Sequence, residues 1–281
     1  MEQTVRKSPE GLAYLNIGCG DLFSKEWNNL DLHRHEYVSS HDLRQPLPYP
    51  AEVFDTVYGS HILEHLTPAQ GKSLAQEIHR VLVKGGVCRL VVPDLEQICR
   101  DYLQQLTASL SEPSLINLRR YEWMTLELLD QMVREKTGGL MVEVLGKGDF
   151  DRAFVQARAG DEFLPLLEHA VSREHRATER KGNFLKKMLL KAPGGQALLK
   201  AATSRLRPPT DPRQTGEAHK WMYDRLSLKL LLEESGFVNF SLKSFAESSI
   251  PYWERYNLDK SNFGDSPRKP YSLYAEGEKP R

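Results

Sequence analysis

AYLNIGCGDLFSKEWNNLDL, residues 13–32, is the stretch on which the fold turns. AYLNI (13–17) is a short apolar run that ends at Gly18-Cys19-Gly20, the pattern of a buried strand running into a turn. WNNLDL (27–32) reads as a second strand ending at Asp31. Working outward, YVSSHDL (37–43) is a third candidate, followed by a loop marked by Pro46, Pro48 and Pro50. VFDTVYGS (53–60) reads as a fourth strand. Pro68 opens a helix at its first turn, where a missing N–H costs nothing. Leu74, Ile78, Val81 and Leu82 make its apolar stripe, which predicts a helix to about Val83 stopped by Lys84-Gly85-Gly86. VCRLVVPDL (87–95) is then the most strand-like segment of the chain. Strands separated by helical patterns imply a parallel sheet with crossover helices.

Beyond residue 95 the pattern becomes helical. Segments 95–109, 113–136 and 160–180 carry helical spacing of Leu, Ile, Val and Met, broken at Gly138-Gly139 and Gly146-Lys147-Gly148. Pro208-Pro209 and Pro212 close this region. Ser227 is a plausible N-cap for a helix over 228–235 that stops at Gly236. FVNFSLKSF (237–245) and YSLYAEG (271–277) then read as strands. The expectation is one domain over 1–281, with 96–215 as a helical insertion after the fifth strand.

The bulk properties suit such a domain. The 281 residues are 40% hydrophobic and carry 38 basic and 38 acidic side chains, so no global charge points to nucleic acid. Cys19, Cys88 and Cys99 show no disulfide or metal-ligand spacing. The N-terminal MEQTVRKSPEG does not resemble a signal peptide, and no run of 18 apolar residues occurs. A cytoplasmic location is expected.

A strand ending in Gly-x-Gly lets backbone approach a ligand that a Cβ would block. Asp31, at the end of the next strand, can accept hydrogen bonds from both hydroxyls of a ribose. Asp42, at the end of the third, can take an adenine amino group. A dinucleotide turn would need a third glycine where Phe23 stands, and only about eleven residues separate Gly20 from Asp31. The pattern therefore favours adenosine joined to something small over a ligand with a pyrophosphate.

With these residues in view, the chain resembles the class I S-adenosylmethionine-dependent methyltransferases, close to the group called type 11. LNIGCG (15–20), NNLDL (28–32), HDLRQPLPYP (41–50), YGSHILEHL (58–66) and HRVLVKGGVCRLVVPDL (79–95) carry the resemblance. It covers 13–99 well and 216–277 loosely. It implies a Rossmann-like doubly wound α/β sheet of seven strands with the last, 271–277, antiparallel. It implies S-adenosylmethionine as cofactor, held by Ile17, Gly18, Cys19, Gly20, Asp31, Leu32, Asp42, Leu43, Ser60 and His61. Gly18 and Gly20 would pass beneath the methionine part, with Ser60 and His61 near the sulfonium. Two departures stand out. Asn16 occupies a position where many members carry an acid, and the first helix is shortened.

Three histidines are candidates for acid–base work. His61, Glu64 and His65 share a face if a helical turn begins there. They fit a cap that orients the turn, a general base at His61 or His65, or a metal site. No fourth ligand is identifiable, and no metal is assigned. GEAHKWMYD (216–224) places His219, Trp221 and Tyr223 at alternate positions, which point one way in an extended stretch. The segment fits either a cover for the core edge or an acceptor pocket with His219 as base.

The insertion is charged unlike the rest. Residues 171–220 contain roughly twelve Lys or Arg against four acids. Within 183–207, Leu, Met and Phe alternate with Lys and Arg, the pattern of a solvated helix, an acidic-partner dock or a peripheral membrane contact. A membrane contact would suit a lipid-linked saccharide, whereas no nucleic-acid-binding module accompanies the charge. The expected activity is methyl transfer, O-methylation above all, to a small-molecule or glycan acceptor, with the insertion as its lid. A non-catalytic cofactor-binding scaffold and a nicotinamide-dependent oxidoreductase are the alternatives.

Overall fold

A computed structural model describes residues 4–173 and 217–281. Its described strands form one seven-stranded sheet in the order β3-β2-β1-β4-β5-β7-β6. These are β1 (Tyr14–Ile17), β2 (Asn28–Asp31), β3 (Val38–Ser40), β4 (Phe54–Ser60), β5 (Leu82–Pro93), β6 (Val238–Lys243) and β7 (Ser272–Glu278). The first five run parallel, and β7 lies antiparallel between β5 and β6. The Rossmann-like sheet with an antiparallel last strand is thus the architecture of the chain. Strand order reverses between β1 and β4, and ligands of such sheets bind at the carboxyl ends of the strands flanking that point.

Alternation along the strands builds two cores. Leu15, Ile17, Val57, Cys88, Leu90 and Val92 face one side, where Leu74, Ile78 and Val81 of α1 (Pro68–Val81) join them. The late helix, Arg225–Glu234, adds Leu228 and Leu232 to the same core. Tyr14, Tyr58, Val87, Val91 and Tyr274 face the other side and meet Trp27, Ile250, Trp253 and Leu258. The loop residues after β6 thus do there what a crossover helix would otherwise do.

Several boundaries differ from the sequence expectation, each for a local reason. α1 ends at Val81, because Leu82 is already extended and begins β5. Lys84-Gly85-Gly86 is therefore no helix stop. Opposite it, the pairing with β4 slips between Phe54–Leu82 and Thr56–Val87, and Gly85 takes φ +77°. The glycines let one long strand absorb an irregularity. The late helix is capped by Asp224, whose carboxylate accepts from the N–H groups of Leu226 and Ser227. Ser227 sits three residues further on and closes the capping box: its Oγ accepts from the Asp224 N–H at 3.0 Å and lies within donating distance of Asp224 Oδ1 at 3.1 Å. Between β1 and β2 there is no helix at all, only turns over 18–27.

The chain divides into two units, residues 1–101 with 219–281, and 102–218. α2 (Leu95–Ser111) leads into the second unit, where α3 (Leu115–Val133) follows as the spacing predicts. Two short helices, α4 (Gly139–Lys147) and α5 (Arg152–Ala159), occupy the region around the glycine breaks, and residues 163–173 are helical. Trp123, Val142, Leu145, Val155 and Phe163 form this unit's own core. Buried Asp130 caps α4 by accepting from the Leu140 N–H at 2.8 Å and pairs with Arg134. The basic stretch 183–207, the proposed membrane contact, lies outside the described residues. No helix among the described residues is long and apolar enough to cross a membrane.

Candidate functional site

The parallel strands deliver the expected cofactor residues to one edge. Ile17 ends β1, Asp31 ends β2, Asp42 and Leu43 follow β3, and Ser60 and His61 end and follow β4. Because β3, β2, β1 and β4 are neighbours in that order, their carboxyl ends form one continuous rim.

The glycine turn is the centre of that rim. Gly18 and Gly20 take φ +61° and +50°, conformations that a side chain disfavours. They are glycines for different reasons. A Cβ on Gly18 would stand 2.2 Å from Ile62 Cγ2 and 3.5 Å from Leu43 Cδ1, so the turn's own packing demands the first glycine. A Cβ on Gly20 would meet nothing within 4 Å, so open space adjoins the second. Asp31 faces this turn, with Oδ2 accepting from the Gly20 N–H at 2.9 Å and Oδ1 from the His33 N–H at 3.1 Å. A carboxylate so held keeps lone pairs for ligand hydroxyls.

The remaining rim residues are less uniform. Cys19 is buried, and burial together with nearby Asp31 pushes its thiol up to about 12, so it is no nucleophile at neutral pH. Leu32 is about half exposed. Asp42 is gripped by Arg44, whose Nε and Nη2 lie 2.7–2.9 Å from its oxygens, and this pairing lowers its pKa. An adenine amino group would share that carboxylate with Arg44. Asn16 is buried and donates to the Leu22 carbonyl at 3.0 Å, so it props the turn after β1.

The histidine cluster lies directly beyond β4. His61 has φ +54°, strain that a β4 exit could avoid with glycine. Its N–H donates to the Val91 carbonyl at 2.8 Å. Its Nδ1 sits 3.1 Å from Glu64 Oε1, and its Nε2 is 3.0 Å from Ser272 Oγ on β7. Glu64 and His65 lie on a single turn of 3-10 helix, Leu63–His65. Glu64 is fully buried. Burial pushes its carboxyl up, but His61, His65 and His219 outweigh this and bring it down to about 2. The Lys220 and Trp221 N–H groups both donate to the Glu64 carbonyl, at 2.6 and 3.2 Å. That pair of bonds sets His219 beside His65, ring centroids 5.0 Å apart.

The structure therefore brings His61, His65 and His219 together around Glu64. It does not keep the expected alternation in 216–224. His219 and Tyr223 are buried, while Trp221 is 44% exposed, because two successive N–H groups turn onto one carbonyl. Glu64, read in the sequence as a cap or metal-ligand candidate on a shared face, is the centre of the cluster, whereas Ser272 gave no signal, being brought in from 211 residues away.

A mixed α/β sheet with a bare turn at its switch point and a carboxylate facing that turn is the arrangement expected of a nucleoside-binding domain. Residues 23–90 match the family model described as a methyltransferase domain. Over those residues the chain is similar to the class I S-adenosylmethionine-dependent methyltransferases, a family whose cofactor is S-adenosylmethionine. The open space at Gly20 and the orientation of Asp31 fit that group.

Among similar solved structures is an S-adenosylmethionine-dependent methyltransferase from Archaeoglobus fulgidus, 12% identical, with TM-score 0.38, covering 95% of this chain and 86% of that one. One from Mesorhizobium loti is 13% identical with TM-score 0.38, over 96% and 91%. One from Thermotoga maritima is 12% identical with TM-score 0.38, over 95% and 82%. No curated protein matches the chain.

Proposed function

We propose that this chain catalyses methyl transfer from S-adenosylmethionine to an oxygen of a small-molecule or glycan acceptor. The observation that carries the reading is buried Glu64 ringed by His61, His65 and His219 immediately beyond β4. The cofactor supplies a methyl group on a sulfonium, already a good leaving group, so orienting the reactants provides much of the acceleration. A hydroxyl acceptor needs more, since its proton must go as the new bond forms. An imidazole beside a carboxylate accepts such a proton, and Glu64 Oε1, 3.1 Å from Nδ1, stabilises the imidazolium that forms at His61. Gly18 and Gly20 pass beneath the methionine part, Asp31 binds the ribose, and the rim from β3 to β4 orients the cofactor toward the histidines.

Calorimetry with S-adenosylmethionine and its demethylated product tests the cofactor half of the reading. Transfer of labelled methyl to a panel of hydroxylated small molecules and glycans, with the product's methylated atom located by mass spectrometry and NMR, tests the acceptor half. Labelled ethers or esters are expected. Label appearing only on nitrogen or carbon would overturn the oxygen acceptor.

A further inference from the structure

Glu64, His65 and His219 each offer one ligand atom, and the three atoms lie within 4.8 Å of one another. Ligand atoms bound to one ion at about 2.0–2.2 Å cannot be more than about 4.4 Å apart. A few tenths of an ångström, within reach of small ring rotations, would close the gap.

Three further observations favour a ligand here. Glu64 is fully buried, yet neither of its oxygens has an aligned hydrogen bond, His61 Nδ1 being close but off axis. A buried carboxylate left short of partners costs stability unless something else binds it. His219 is also buried, beside Glu64, where the bonds from the Lys220 and Trp221 N–H groups to the Glu64 carbonyl set this segment. His61 also stands against Glu64, its Nδ1 3.1 Å from Oε1, as a group that orients a ligating carboxylate would.

We infer that Glu64, His65 and His219 form a binding site for a divalent transition-metal ion of the Zn²⁺ or Mn²⁺ class. One carboxylate and two imidazoles suit such ions and not Mg²⁺ or Ca²⁺, which take all-oxygen sets. Three protein ligands leave positions open for oxygen. The inference rests on the proposed oxygen acceptor for its use. Bound by these residues, such an ion would make an acceptor hydroxyl more acidic, so that His61 takes its proton as the oxygen attacks the cofactor's methyl group and the sulfur leaves.

Metal binding is measured on the full chain, stripped with chelator and then dialysed against Mn²⁺ or Zn²⁺, with bound metal counted by mass spectrometry. Co²⁺ in their place reports ligand geometry through its visible absorption. The expected result is one ion per chain, weakened on the order of 100-fold or more in Glu64→Gln and in His219→Asn. The surface change His35→Asn should leave binding intact. Either ligand variant suffices if the other fails to fold, as judged by near-ultraviolet circular dichroism. No stoichiometric ion in the wild type, or equal binding in the ligand variants, overturns the site. S-adenosylmethionine binding measured by calorimetry in chelator separates the two readings. Cofactor bound without any metal site leaves the methyltransferase standing, and metal bound without cofactor leaves the ion site standing.

Discussion

Among the described residues, two buried carboxylate sites on the sheet are satisfied very differently. On the sheet face away from α1, Arg89 donates to Asp259 and Glu276, each at 2.8 Å, and to the carbonyls of Ser244 and Glu247. Tyr58 donates to Asp259 at 2.6 Å, and the guanidinium lies 4.7 Å from the Trp253 ring centroid. Burial raises the Asp259 carboxyl, and Arg89 opposes this. Every charge there is answered. Beyond β4, Glu64 is as deeply buried but lacks aligned hydrogen bonds and sits among histidines on a strained turn. A saturated network holds a fold in one arrangement, whereas an unsaturated one stores capacity for a ligand or a proton.

The difference is sharpest in what mutation should do. Arg89→Met strands two buried carboxylates, so it should destabilise the chain by about 3–5 kcal/mol in urea unfolding. A loss below about 1 kcal/mol would mean that the network is not the fold's keystone. Glu64→Gln should act mainly on chemistry. It removes a carboxylate whose charge the histidines favour, so some stability is lost, less than in Arg89→Met, while methyl transfer falls about 100-fold or more. If Glu64→Gln unfolds the protein as Arg89→Met should, the contrast between the two clusters fails.

Asp31 lies between these extremes, bonded to the turn on one side and open on the other. Asp31→Ala should weaken S-adenosylmethionine about tenfold by calorimetry, the worth of about one charged hydrogen bond. Its melting temperature should change little. Unchanged cofactor affinity would remove Asp31 from the site and weaken the claim that the ribose lies at the end of β2.

How much of this was legible follows the range of the interactions. β1 to β5 and the glycine turn show in the sequence because local apolar runs and turn residues specify them. α4 and α5 escaped notice, since nine and eight residues between glycines give too little period to read. The cap at Asp224 was misplaced to Ser227 by three residues, both being good capping types in one turn. The histidines were visible as residue types, but the meeting of His65 with His219 spans 154 positions and depends on two backbone bonds to Glu64. Arg89 hides in an apolar run, VCRLVVP, and its partners Asp259 and Glu276 stand far down the chain. Local patterning fixes elements; the charged clusters arise only when the sheet assembles.

A third carboxylate offers the mildest test. Glu77 on α1 accepts from the Leu47 N–H at 2.7 Å and from Arg80, which also donates to the Leu47 and Tyr49 carbonyls. It is well satisfied, as the Arg89 cluster is, but it lies near the surface, where water competes for every bond. The hydrogen bonds from Arg80 hold its pKa below the ordinary value. A folded-state pKa below the unfolded one means that the unfolded chain binds the proton more readily. The stabilisation is therefore present above the unfolded value of about 4.3 and is lost as pH falls through the lower folded value. Glu77→Gln should flatten that acid limb of a stability–pH profile and leave neutral stability almost unchanged. A large loss at pH 7 would show that satisfaction, and not burial, decides how much a carboxylate matters to this fold.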